Sequence, residues 1–137
     1  MNRRLSFDLH VLTALLDRAA DRILRAELEV SYRRFLALTH VGELGATTQR
    51  ALADSLGVTE PSVSRMTAVL ADDGWLDVRP DPGGGHRRQL VLTPEGKRLV
   101  SKAQQLLEDR FAKLVEASGV KYEEYAMQTE RLLGVLR

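Results

Sequence analysis

Two short polar clusters hold the side chains best suited to chemistry. Ser62, Ser64 and Arg65 fall within about one helical turn of each other, just after Thr59-Glu60-Pro61. His86, Arg87 and Arg88 follow three consecutive glycines. Hydroxyls and guanidinium groups with no base or nucleophile beside them suit hydrogen bonding to phosphates and base edges. Arginine bidentate to guanine is the commonest specific base contact, which makes Arg65 the first choice for specificity. Thr48 and Thr59, each at a helix start, can bond phosphates. A basic loop tip can enter a narrow minor groove, where negative potential is strongest; that is the role for Arg87 with His86 and Arg88. Taken alone, two arginines on a loop read as solvated side chains. The elements that carry them change the weight.

An enzyme would need other residues. There is no nucleophile–base constellation and no set of His, Asp and Glu at metal-ligand spacing. The glycine run before His86 lacks the helix and lysine of a phosphate loop. The three histidines, His10, His40 and His86, lie far apart. No catalytic residue, metal or cofactor is expected.

The first cluster rides on a helix. Thr59 is a good N-cap, because its hydroxyl can accept an orphan N–H of the first turn. Pro61 falls in that turn, where a missing N–H costs nothing. Val63, Met66, Thr67 and Leu70 make one mostly apolar face, and Ser62, Ser64, Arg65 and Ala68 make the small, polar opposite one. Gly74 is placed to end the helix in a left-handed conformation. Upstream, Thr48 caps a shorter helix that buries Leu52, Ala53 and Leu56 and stops at Gly57. Two short helices joined by a glycine turn form a helix-turn-helix. A small outer face lets the second helix approach base edges in a major groove. Two strand-like runs follow, Trp75-Leu76-Val78 and Leu90-Val91-Leu92, with the basic tip between them. A hairpin directly after a recognition helix is a wing.

The run from Leu52 to Gly96, LADSLGVTEPSVSRMTAVLADDGWLDVRPDPGGGHRRQLVLTPEG, resembles the winged helix-turn-helix of the MarR family of bacterial transcription regulators. The matching motifs are LA…LGVT…PSVSR, GWL…R.DP and LVLTPEG, and the flanking helices fit the same layout. The resemblance implies a cytoplasmic, homodimeric repressor of operator DNA. It also implies relief by a small, often anionic or phenolic, ligand held between the dimer helices and the winged region. Ligand-binding residues stay unassigned: His10, Arg18, Tyr32 and His40 are polar candidates that read more simply as structural or solvated. There is one departure. The family carries Asp-x-Arg in the wing, and here Gly84 and His86 stand at those positions, with Arg87 next. Either His86 or Arg87 is then the residue for the minor groove.

The remaining helices flank this module. From Ser6 to about Leu28, Leu5, Leu9, Leu12, Leu16, Ala19 and Ile23 repeat at spacings of four and three, widened by Leu15, Ala20 and Leu24. A stripe this long needs more to pack against than one small winged domain. Ser31 can cap a second helix carrying Tyr32, Phe35, Leu36 and Leu38, with Gly42 and Gly45 ending it. After the wing, Thr93-Pro94-Glu95 reads as N-cap, first-turn proline and first-turn acid. That helix runs to about Ala117, with Val100, Ala103, Leu107, Phe111 and Leu114 on one face. Ser118-Gly119 breaks it, and a last helix spans about Tyr122 to Leu136.

The expected fold is mainly α with a small β-wing, one unit over residues 1–137. Support helices occupy 5–43, the winged helix-turn-helix 44–98 and C-terminal dimerisation helices 94–137. Packing the two ends together, and then against a second copy, buries both terminal stripes. Leu5, Leu9, Leu12, Leu16, Tyr125, Leu132, Leu133 and Leu136 are the dimerisation candidates. A two-fold dimer sets its recognition helices one DNA turn apart, ~34 Å, over a near-palindrome of double-stranded DNA.

Composition bounds these readings. The chain has 137 residues, 20 basic and 19 acidic, for a net charge of +1. Any DNA affinity must therefore come from where charges sit. With no cysteine, disulfides and thiolate sites are excluded, which fits a reducing cytoplasm. No cleavable leader is apparent in residues 1–16, and no apolar run approaches membrane-spanning length. The alternative function is a winged-helix protein-interaction module, antirepressor-like, without its own operator. The basic tip and the Ser/Arg face argue against it, since that role requires neither.

Overall fold

A computed structural model describes residues 3–85 and 88–137. The elements are α1 (Leu5–Leu28), α2 (Tyr32–Leu44), β1 (Thr47–Thr48), α3 (Gln49–Leu56), α4 (Glu60–Asp72), β2 (Leu76–Pro80), β3 (Arg88–Leu92), α5 (Pro94–Ser118) and α6 (Tyr122–Leu136). The chain is mainly helical with one small antiparallel sheet, and it divides within α5 into residues up to Ala103 and Gln104–Arg137.

Local chemistry sets most element ends in the first unit. Ser31 accepts the Arg34 N–H at 3.1 Å and caps α2. Thr48 accepts the Ala51 N–H at 3.1 Å and caps α3. Thr59 accepts the Ser62 N–H at 3.3 Å and caps α4. These bonds satisfy first-turn donors that have no partner within the helix. At the far end of α4, Gly74 stands at φ +85°. Its N–H reaches the Ala71 carbonyl and the Trp75 N–H reaches that of Leu70, both at 3.0 Å. This pair of hydrogen bonds turns the chain sharply into β2, and only glycine holds that left-handed position cheaply.

The core lies where α2, α3, α4 and the sheet meet. Ala37, Leu38, Val41, Leu52, Ala53, Val63, Leu70, Leu76, Leu90 and Leu92 form it, with Met66, Trp75, Leu99 and Val100 packed against it. The sheet order is β1-β3-β2. Leu76 faces Leu92 and Val78 faces Leu90, while Thr47 faces Leu90 from the other side. The two-residue β1 is an addition to the two strands that the sequence indicates. Gly42 does not end α2, which continues to Leu44. It is an interior position where an added Cβ would stand 3.0 Å from Leu92 Cδ1.

The stripe on α1 is divided. Ala20 and Leu24 are buried, Leu12 and Leu16 are half-buried, and Leu5, Leu9 and Leu15 are exposed. In the second unit Val115 is buried, Tyr125 is half-buried and α6 has no buried residue. Leu132, Leu133 and Leu136 are exposed, Leu136 at 84%. Ser118 closes α5 by donating to the Val115 carbonyl at 2.6 Å and accepting the Val120 N–H at 3.2 Å. No helix among the described residues is long and apolar enough to cross a membrane.

Candidate nucleic-acid interface

The helix-turn-helix is α3 and α4, joined by Gly57-Val58-Thr59. Packing fixes which side of α4 faces out. Val63, Thr67 and Leu70 are buried and Met66 is half-buried, which consumes one face. Ser64, Arg65 and Ala68 are exposed on the other, and Ser62 is half-buried at its edge. Among the described residues no carboxylate pairs with Arg65, so its guanidinium fork is available. Thr59 is exposed at the start of this helix and Thr48 is half-buried at the start of α3. Both hydroxyls already accept a backbone N–H. Their protons remain for an outside acceptor such as a phosphate oxygen.

Two residues outside the sequence-predicted set also lie at the start of α3. Arg50 is exposed in its first turn. Gln49 donates from Nε2 to the hydroxyl of Thr67 at 3.1 Å. Periodicity marks Thr67 as part of the buried face, but nothing local in the sequence marks its partner, which lies 18 residues away.

The wing is β2 and β3 with the loop between them. Its tip begins as a turn in which Asp81 accepts the Gly84 N–H on its carbonyl at 3.0 Å. The Asp81 carboxylate also accepts the Gly83 N–H, at 3.3 Å. Arg88 is exposed at the first position of β3, opposite Pro80. Its neighbour Arg79 is committed elsewhere, donating to Asp77 at 2.9 Å. The predicted tip contacts His86 and Arg87 lie outside the described residues. Thr59, Ser62, Ser64 and Arg65 therefore share one helix, with Thr48 on its partner helix and Arg88 on the wing.

The exit from this module is tightly fixed. Thr93 Oγ1 donates to the Gly74 carbonyl at 2.6 Å and accepts the Gly96 N–H at 3.0 Å. One hydroxyl thus ties the turn after α4 to the start of α5. Gly96 lies against the Trp75 carbonyl with no room for a side chain.

Tyr32, one of the polar candidates on the support helices, belongs to the α1–α2 junction. Its N–H is accepted by Asp21 at 2.9 Å, and Asp21 also accepts Arg25 Nε at 2.8 Å. The Tyr32 N–H first and the Arg25 side chain second hold the Asp21 carboxyl below the usual carboxylate value. Burial, then the charge of Asp17 and a hydrogen bond to it, push the Tyr32 phenol above its ordinary value.

Comparison with known proteins places this geometry. Residues 28–88 match the sequence model of the MarR family. A helix-turn-helix-type transcriptional regulator of Mycobacterium bovis, itself uncharacterised, is 35% identical over 115 residues, 81% of this chain and 80% of that protein. Wild-type apo MarR from Escherichia coli superposes with a TM-score of 0.86 at 22% identity, covering 100% of this chain and 99% of the other. A MarR mutant from the same organism, crystallised with operator DNA, superposes with a TM-score of 0.77 at 23% identity, covering 97% and 94%.

Proposed function

The chain belongs to the MarR family of transcription regulators, and from that premise we propose that it is a homodimeric, sequence-specific repressor of a near-palindromic operator. The observation that carries the reading is the outer face of α4. Ser64, Arg65 and Ala68 are exposed and Ser62 is partly so, on a helix whose other face is sealed into the core. Arg65 reads guanine from the major groove, Ser62 and Ser64 contact bases or phosphates beside it, and Thr48 and Thr59 bond phosphates from the helix starts. Arg88 and the adjoining wing tip, His86 or Arg87, supply the minor-groove contact. A MarR mutant of the same fold, crystallised with operator DNA, supports DNA as the partner.

Dimerisation is supported by apolar surface that a lone chain leaves in water. Leu5 is 66% exposed and Leu132 62%, with Leu9, Leu133 and Leu136 beside them in sequence register. Leu12, Leu16 and Tyr125 complete the proposed contact. A small anionic or phenolic ligand then acts by favouring a spacing of the recognition helices that no longer matches the groove, a shift between two populations. The protein acts where bacterial DNA lies, in the cytoplasm.

The test is selection of bound duplexes from a random DNA pool, by the native chain and by Arg65→Ala. The expected result is one enriched near-palindrome, bound about 5- to 150-fold more weakly by the variant, the equivalent of ~1–3 kcal/mol for a bidentate base contact. Retention of no duplex would refute DNA reading and leave a protein-interaction module.

A further inference from the structure

Thr67 is fully buried inside the helix-turn-helix, at 0% exposure. Its hydroxyl donates to the Ser64 carbonyl at 3.2 Å. A carbonyl can only accept, so that bond uses the single Thr67 proton and leaves the oxygen lone pairs for Gln49 Nε2 at 3.1 Å. Three groups therefore run in line from the first residue of α3 to the main chain of Ser64. Ser64 and its neighbour Arg65 are among the residues that α4 presents outward.

The bond from Gln49 is not required for burial. A threonine hydroxyl in a helix is commonly satisfied by a carbonyl of the preceding turn, and here Ser64 provides one. What the amide adds is direction. Leu52 and Ala53 of α3 and Val63 and Leu70 of α4 belong to one buried apolar cluster. The hydrophobic effect is itself non-directional, so side-chain packing sets the α3–α4 arrangement by shape but adds no directional bond against small rotations. A hydrogen bond loses strength steeply when its angle or length departs from the optimum. Gln49 is only half-buried, so its own desolvation is partial. Its side chain reaches inward rather than joining the polar surface of α3.

We infer that Gln49 is a positioning residue for base reading: through Thr67 it fixes the rotation of α4 about its axis, and so where Ser64 and Arg65 are delivered. The inference rests on the DNA-reading function proposed above. A residue acting this way changes discrimination between sequences. A phosphate contact would change affinity for every duplex alike.

The experiment measures binding of the full chain to two duplexes, the one enriched from a random pool by the native protein and a scrambled sequence of equal length. Gln49→Met keeps the length and helix propensity of the side chain but removes the donor. It is expected to lose about tenfold affinity for the enriched duplex while staying within about twofold on the scrambled one. Thr67→Val should show the same pattern, Thr67→Ser should bind as the native protein does, and the Gln49→Met/Thr67→Val double variant should lose no more than either single one. Thermal melts identify any variant that does not fold; if Thr67→Val does not, Gln49→Met and Thr67→Ser decide the matter. Native-like discrimination by Gln49→Met overturns the inference, as does an equal loss on both duplexes or additive losses in the double variant. Enrichment of no sequence by the native chain overturns the DNA-reading premise and the inference with it.

Discussion

Thr93→Val tests how the winged module is joined to α5. The change keeps the shape of the side chain and exchanges the hydroxyl for a methyl. Two part-buried bonds are lost. The cap on Gly96 N–H, at 3.0 Å, is worth about 1 kcal/mol, and the 2.6 Å bond to the Gly74 carbonyl about another. A methyl cannot approach that carbonyl as closely as a hydroxyl does, so some strain is added. The sum is about 2–3 kcal/mol, which for a chain of this length lowers Tm by about 10 °C. Thr93→Ser retains both bonds and should cost under about 0.5 kcal/mol. The assay is urea unfolding at fixed protein concentration, since a dimer makes stability depend on concentration. Trp75, the sole tryptophan, reports on the junction directly, because its carbonyl accepts the Thr93 N–H at 3.1 Å. Equal costs for the valine and serine variants, or a valine cost below about 0.5 kcal/mol, would refute the reasoning.

Gly96→Ala places a Cβ against the Trp75 carbonyl. The start of α5 must then back away from the wing, and the expected loss exceeds about 2 kcal/mol by the same urea measurement. Arg88→Ala should reduce the slope of log K against log salt by about one, read from a salt titration, and weaken binding most to duplexes whose minor groove under the wing is narrow. The raised Tyr32 phenol favours the neutral form in the folded state. Its contribution is therefore retained below pH ~10 and lost as pH rises through the higher folded value. Tyr32→Phe should remove that part of the alkaline loss, seen by comparing urea midpoints of the two proteins at about pH 8 and about pH 11.

What the sequence makes legible is mostly local. The caps Ser31, Thr48, Thr59 and Thr93, and the stop at Gly74, each act on N–H or C=O groups within a few residues. Residue type and spacing therefore reveal them. The outer face of α4 is legible for the same reason, since a helical period divides Val63, Thr67 and Leu70 from Ser64, Arg65 and Ala68. Contacts made by distant parts of the chain escape this reading. β1 exists only because Thr47 and Thr48 pair with Leu90 and Gln89, and two threonines carry no strand pattern of their own. Gly42 looks like a helix stop but lies opposite Leu92 within α2. The bond from Gln49 to Thr67 crosses between helices, so its sequence trace is two unremarkable residues. On α1 the apolar repeat is continuous, but only its C-terminal part, Ala20 and Leu24, is buried within the chain.

Spacing of the half-sites tests the central claim, dimeric reading of DNA by α4 and the wing, most directly. The enriched duplex would be compared with one carrying about five extra base pairs at its centre, half a helical turn. Two recognition helices held in one dimer cannot then meet the same face of the duplex, and affinity should fall towards that of a single half-site. Unchanged affinity for the lengthened duplex, equal to that for an isolated half-site, would contradict the account.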